Sequence, residues 1–340
     1  MSTRLIRHWY QHRLTLLTLI LLPFSYLFIA IVYLRQRLYA WGLLKTSRFP
    51  VPIIVVGNIT VGGTGKTPLV IYLVQQLQKM GHRPAIVSRG YGGSAKTTLL
   101  VNADTDPRHC GDEPALMARR LHCPIVIGAS RVQAVKKLLE NVPTCTIIIS
   151  DDGLQHYALA RAIEIALIDG QRQLGNRRCL PAGPLRELPA RLKQVDFVVT
   201  NGKSAHHFDH DATMRLQADH HLHHVNDQPK KPCGDIRAKT VHAIAAIANP
   251  QRFFDTLRQL GFTIIAHSFP DHYFFKKEDI CFSDDKIVIM TEKDAVKCRR
   301  FADQRHYYLP VNADFDNDFC QMILNRLTDK GYPCPKNDSN

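Results

Sequence analysis

The segment Thr60-Val61-Gly62-Gly63-Thr64-Gly65-Lys66-Thr67 limits what this chain can fold into more than any other stretch. The apolar run PVPIIVVGN precedes it, and a helical pattern from Pro68 to Met80 follows. A short continuous apolar run bounded by turn residues reads as a fully buried strand, so the segment is the loop of a strand, loop and helix unit. In that context successive backbone N–H groups and a helix N-terminus form a cradle for phosphate oxygens. Lys66 adds a point charge on the β/γ-phosphates, and the Thr67 hydroxyl is the expected magnesium ligand. Thr60 stands where the strict pattern has its first glycine, and Gly62 and Gly63 supply the flexibility two residues later. A purely structural Gly-rich turn is the competing reading, which the flanking strand and helix disfavour.

The same alternation continues downstream. PAIVSRGYGG reads as strand and Gly loop, PALMARRL as helix, PIVIG as a short strand and RVQAVKKLLE as helix; CTIIISDDG, IEIALIDG and QVDFVVTNG add three more strands. Apolar strands alternating with helices predict an α/β fold, a P-loop NTPase-like parallel sheet with helices on both faces. Residues 202–240 are polar and rich in His, Asp and Lys, and are expected to form a linker or small excursion. VHAIAAIA, FTIIAHSF and KIVIMTEKD then predict the strands of a smaller C-terminal α/β lobe over 241–340, leaving 37–201 as the P-loop core.

Residues 1–36 differ in kind. From Leu14 to Leu34 there are 21 residues without a charge, long enough to cross a ~30 Å hydrocarbon layer as a helix. No small-x-small cleavage site follows, so the segment is expected to be a retained membrane anchor. Arg4, Arg7 and Arg13 before it and Arg35, Arg37, Lys45 and Arg48 after it leave its orientation open. Pro23 makes a bent helix inserted from the cytosolic face as defensible as a full span. The chain carries a formal charge of +14, which favours nucleic acid, anionic lipid or a phosphorylated substrate as partner without choosing among them. Nine cysteines without short regular spacing suggest neither a zinc ribbon nor a disulfide framework, and point to a reducing compartment.

Asp151 and Asp152 end the apolar run CTIIISDD, where a nucleotide-binding sheet keeps its acidic magnesium partner. Two adjacent carboxylates suit a hydrated Mg²⁺, which takes few protein ligands besides phosphate oxygens; a solvated turn is the bland alternative. Further polar clusters have no evident core role: Ser88-Arg89-Gly90-Tyr91-Gly92-Gly93, Cys110-Gly111-Asp112-Glu113-Pro114, Leu180 to Glu187, and Pro270-Asp271-His272-Tyr273. Spacing does not say which of their carboxylates acts as a base. Seven histidines between His206 and His224 fit no zinc pattern and read as a solvated excursion. Thr291-Glu292-Lys293-Asp294 superficially matches a guanine-reading N-K-x-D, but with the lysine displaced by one place, so ATP is the expected nucleotide.

Taken in order, VVGNITVGGTGKTP, SRGYGG, GDEP, DDGLQH, LPAGPLRE, FPDHY and TEKDAVK make the chain resemble the tetraacyldisaccharide 4'-kinases of lipid A biosynthesis over nearly its whole length. The resemblance implies an ATP- and Mg²⁺-dependent kinase acting on the 4'-hydroxyl of an acylated disaccharide 1-phosphate, at the inner membrane of a Gram-negative bacterium with its site on the cytosolic side. It implies that Asp112 is the catalytic base, paired with His272, and that Lys66 and Arg186 face the phosphates. Thr67, Asp152 and Glu187 are implied around magnesium, with Arg89, Tyr91 and His156 in supporting roles. Arg177 follows Gly175-Asn176 where the family is expected to show glycine, so that loop is expected to differ locally. The basic charge is then accounted for by the lipid's phosphate and an anionic membrane surface, and nothing points to nucleic acid or an obligate protein partner. The runner-up is a membrane-associated P-loop ATPase or GTPase of the partitioning or targeting type; a noncatalytic binder of anionic lipids is a third reading.

Overall fold

A computed structural model describes residues 8–10, 15–203, 211–236 and 239–332. Helix α1, Leu16–Ala40, is capped by Thr15, whose side chain accepts from the Thr18 amide. Leu16, Ile20, Phe24, Leu27, Ile31 and Leu34 stay exposed along one face. The opposite face is docked: Thr18 and Ser25 are buried, and Phe28 and Ile29 pack against the core beneath. The helix is therefore docked along one side and exposed along the other, and by length and composition it is long and apolar enough to cross a membrane.

Strand β1 is Ile53–Gly57 and α2 is Lys66–Lys79. Then come β2 (Pro84–Ser88), β3 (Leu99–Val101), α3 (Asp112–Arg120), β4 (Ile125–Ile127) and α4 (Arg131–Asn141). These are followed by β5 (Ile147–Asp151), β6 (Ile163–Asp169), β7 (Phe197–Asn201) and β8 (Ala212–Ala218). With β15 (Val311–Phe315) they form one sheet in the order β15-β8-β7-β6-β1-β5-β2-β4-β3. Only the two edge strands, β15 and β3, run antiparallel to their neighbours. Alternate residues of β1 feed opposite faces, as the pleat dictates. Ile54 and Val56 meet α2 and the C-terminal helix Phe319–Asp329, whereas Ile53 and Val55 meet α4 and α1. Leu69, Leu73 and Leu77 of α2 are fully buried, each contributing roughly 1.5–3 kcal/mol of hydrophobic stabilisation.

The smaller sheet has the order β10-β9-β14-β13-β11-β12. Its strands are β9 (His221–His224), β10 (Lys231–Pro232), β11 (Thr240–Ala245), β12 (Thr263–Ser268), β13 (Val288–Thr291) and β14 (His306–Leu309). Helices α5 (Pro250–Gln259) and α6 (Glu292–Cys298) cover its two faces.

Three expectations change here. The stretch 202–240 carries β8 in the large sheet and β9 and β10 in the small one, so it passes the chain between lobes as paired strands. Its residues 204–210, with three of the seven histidines, lie outside the described residues. The C-terminal segment does not stay in the second lobe: β15 pairs with β8, and Phe319, Ile323 and Leu324 pack into the core of the first. TEKD does not continue the strand either, because the Thr291 side chain accepts from the Asp294 amide and starts α6. The eight described cysteines are free.

Candidate active site

Parallel strands leave their carboxyl ends at one edge of the large sheet, and the loops after β1, β2, β5 and β7 meet there. Gly65 caps α2 in the left-handed region at φ 98°. A Cβ at Gly65 would lie 2.6 Å from Asn201 Nδ2, so only glycine fits. Asn201, at the end of β7, donates from Nδ2 to the Thr64 carbonyl at 2.8 Å and pins the cradle. Lys66 donates to Asn58 Oδ1 at 3.3 Å and lies 3.5 Å from Asp152 Oδ1. Val61 N donates to the Pro184 carbonyl, and Arg186 N to the Ile59 carbonyl, so the LPAGPLRE loop is laced to the Gly-rich loop by backbone bonds.

The two aspartates after β5 diverge. Asp152, at φ 47°, accepts from Arg186 Nη1 at 3.0 and 3.1 Å. Burial opposes its ionisation, but Lys66 and Arg186 outweigh that and hold the carboxyl at about 2. Asp151 is buried, accepting from Ser88 Oγ at 3.0 Å on Oδ2. Its Oδ1 has no hydrogen-bond partner among the described residues. Burial, with Glu113 and Asp152 nearby, pushes Asp151 up to about 7. An orphaned buried carboxylate oxygen beside an ionised neighbour suits a divalent cation. His156 is driven down to about 4 by burial and by Arg131 and Arg89, and is neutral at ordinary pH.

Glu187 sits in a closed polar network. It accepts from Gln36 Nε2 at 2.7 Å and from the Tyr157 hydroxyl on Oε1, and from Gln155 Nε2 at 2.9 Å on Oε2. Gln155 Oε1 in turn accepts from Arg186 Nη1 at 3.4 Å, which places Glu187 behind the Asp152–Arg186 pair.

The second half of the site comes from both lobes. Asp112 opens α3, next to Gly111, where a Cβ would lie 2.4 Å from the Tyr91 carbonyl. That close approach holds the GDEP turn against the SRGYGG loop. Asp112 is 95% buried, by the complement of its 5% exposure, and both its oxygens lie 3.0–3.1 Å from His272 Nδ1. Tyr91 meets the His272 ring edge-on at 5.2 Å. Burial alone would raise Asp112, but the His272 hydrogen bond, Lys293 and Lys297 bring it below the usual carboxylate value. The hydrogen bond that His272 donates to Asp112 raises the imidazole against its burial. Lys293 lies 3.9 Å and Lys297 3.7 Å from Asp112 Oδ2. Three carboxylates, Glu113, Asp112 and Asp271, hold Lys293 well above its ordinary range.

The structure thus brings Lys66, Asp152 and Arg186 together at one point, and Asp112, His272 and Tyr91 at another. Glu113, the neighbour of Asp112, is close enough to Asp151 to raise it, which joins the two. Sequence reasoning missed Asn58, Asn201, Lys293 and Lys297 as site residues; the two lysines stand one helical turn apart in TEKDAVK, a spacing that puts both on one helix face.

A phosphate cradle, a carboxylate pair at a strand end and a separate buried carboxylate bonded to a histidine define a P-loop phosphotransferase. The chain belongs to the tetraacyldisaccharide-1-P 4'-kinase family, whose profile matches residues 17–328. It is 48% identical over 329 residues to a tetraacyldisaccharide 4'-kinase of Coxiella burnetii, covering 95% of this chain and 96% of that one. To the enzyme of the same name from Methylobacillus flagellatus it is 47% identical over 327 residues, covering 96% of each. A crystal structure of LpxK from Aquifex aeolicus in complex with ATP matches with a TM-score of 0.79 and 31% identity, over 94% of this chain and 100% of that one.

Proposed function

We propose that the protein transfers the γ-phosphoryl group of ATP to the 4'-hydroxyl of a tetraacyldisaccharide 1-phosphate in lipid A biosynthesis. The observation that carries this reading is the Asp112–His272 pair, built from two lobes and held beside a P-loop. A nucleotide switch has no need of a second, buried base at that place.

Asp112 takes the proton from the sugar hydroxyl as its oxygen bonds to the γ-phosphorus. The bond from phosphorus to the bridging oxygen of ADP breaks, and Lys66 and Arg186 offset the charge on the phosphates. His272 Nδ1 fixes the carboxylate, and Lys293 and Lys297 keep it ionised before the proton arrives. Thr67, Asp151 and Asp152 are the residues fitted to hold magnesium, which when bound neutralises charge on the β- and γ-phosphates. Gly62, Gly63 and the backbone of Val61 and Thr64 cradle those phosphates, while Tyr91, edge-on to His272, and Arg89 and neutral His156 take supporting roles.

The exposed apolar face of α1, opposite a docked face, supports monotopic insertion rather than a full span. We place the enzyme on the cytosolic side of the inner membrane, where ATP is available and the lipid's acyl chains stay in the bilayer. Purified protein with γ-labelled ATP and tetraacyldisaccharide 1-phosphate in mixed micelles is expected to give a labelled bisphosphate lipid in step with ADP. Label appearing only as inorganic phosphate would favour the ATPase reading instead.

A further inference from the structure

Three uncharged polar residues of α1 share one side of a mostly apolar helix, with Arg35 and Arg37 exposed at its end. Thr18, Ser25 and Gln36 are seven and eleven residues apart, which at 3.6 residues per turn puts all three on the docked face. Ser25 Oγ donates to the Cys179 carbonyl at 2.8 Å, and this bond is a fastening only. Gln36 does something different. Its Nε2 donates to Glu187 Oε1 at 2.7 Å and to the Tyr157 hydroxyl at 2.9 Å. Glu187 is 1% exposed, and Gln36 reaches it across 151 positions of sequence.

From Glu187 the contacts run inward without a gap. Gln155 Nε2 bonds Glu187 Oε2 and, at 3.2 Å, the Asn58 carbonyl. Asn58 Oδ1 accepts from Lys66, and Gln155 Oε1 accepts from Arg186, which grips Asp152. A buried carboxylate that loses one of its donors is left under-solvated, and a group so exposed to desolvation cost shifts or recruits another partner. Gln155 and the Tyr157 hydroxyl already bond Glu187, and Arg191, 3.9 Å from Oε2, is committed to Glu164, so no idle donor stands by to replace the Gln36 amide on Oε1.

We propose that Gln36 is a positioning residue: it couples the seating of the membrane helix to the Glu187–Gln155 network, and so to Arg186, Asp152 and Lys66 around the nucleotide. The anchor is then part of the catalytic apparatus as well as a tether. This rests on the kinase reading above, and the test is arranged so that the two can fail separately.

Gln36→Leu keeps the bulk and removes the donor. In vesicles of phosphatidylethanolamine and phosphatidylglycerol, the variant is expected to bind as wild type does and to keep KM for the lipid within about twofold. Its kcat is expected to fall about tenfold, equivalent to 1.4 kcal/mol. The magnesium concentration for half-maximal binding of a nonhydrolysable ATP analogue, read by fluorescence, is expected to rise several-fold. Ser25→Ala, which also removes an α1 fastening, is expected to change neither kcat nor magnesium dependence. If Gln36→Leu matches Ser25→Ala, or loses vesicle binding and activity in proportion, the proposal is overturned. Should the leucine variant not fold, Gln36→Asn withdraws the amide by one methylene and decides the matter: the same pattern of loss is expected, and wild-type kcat and magnesium dependence contradict it. If the wild type phosphorylates no disaccharide, the kinase reading fails and the nucleotide-binding measurement alone judges Gln36.

Discussion

The nucleotide end and the acceptor end of this site are built by opposite means. At the nucleotide end, Gly62 to Thr67, Asp151 and Asp152 come from loops of one sheet, and their neighbours are fixed by strand pairing within it. At the acceptor end, Asp112 and His272 stand 160 residues apart and meet only because α3 and the loop after β12 face each other across two lobes. The first is a local motif on a rigid edge, and the second is an assembly that exists only when the lobes are together.

The largest effect belongs to the nucleotide end. Lys66→Ala removes the charge that Asp152 and Asn58 hold in place, and kcat is expected to fall on the order of 10³-fold with weakened nucleotide binding. Near-normal turnover would remove the P-loop from the mechanism. At the acceptor end, Asp112→Asn keeps the shape and removes the base, so kcat should drop roughly 10²- to 10⁴-fold while ATP affinity is unchanged. A matching loss of ATP affinity would show that the two ends are not separable.

Lys293→Ala sharpens the comparison with a smaller effect. It removes one of the two lysines that, with His272, keep Asp112 below the usual carboxylate value, so the acid limb of the kcat/KM profile should move to higher pH. An unmoved limb means that His272 and Lys297 suffice. The smallest effect is on stability. The lowered Asp112 contributes stability present above its ordinary 3.8 and lost as pH falls through its folded value. The raised His272 contributes stability fully present below its ordinary 6.5 and lost as pH rises through its folded value. Both are in force between 3.8 and 6.5, so His272→Ala should lower Tm more at pH 5 than at pH 9. An equal loss at both would mean that the imidazole is held by packing alone.

The same contrast sets what could be read from the sequence. Continuous apolar runs made β1, β2, β5, β6 and β7 legible because both faces of those strands are buried. Strands β8 and β15 escaped because ATMRLQA and VNADF alternate or mix polar residues at the sheet's margin, and their pairing joins residues about a hundred positions apart. The nucleotide end was visible as a motif. Asp112 and His272 were singled out through the order of the family's motifs, since nothing in their spacing brings them together. Glu187 was expected near magnesium, and its bond to Gln36 was not foreseen, although the spacing of Thr18, Ser25 and Gln36 marks a docked helix face in plain sequence.

The claim that the acceptor end is one unit assembled across two lobes is tested most directly by a double-mutant cycle on kcat at saturating ATP. Asp112→Ala, His272→Ala and the double variant are compared with wild type. Groups that act together are non-additive, so the double variant is predicted to be scarcely slower than the worse single variant. Two losses that multiply would contradict a shared base and leave Asp112 and His272 as independent contributors.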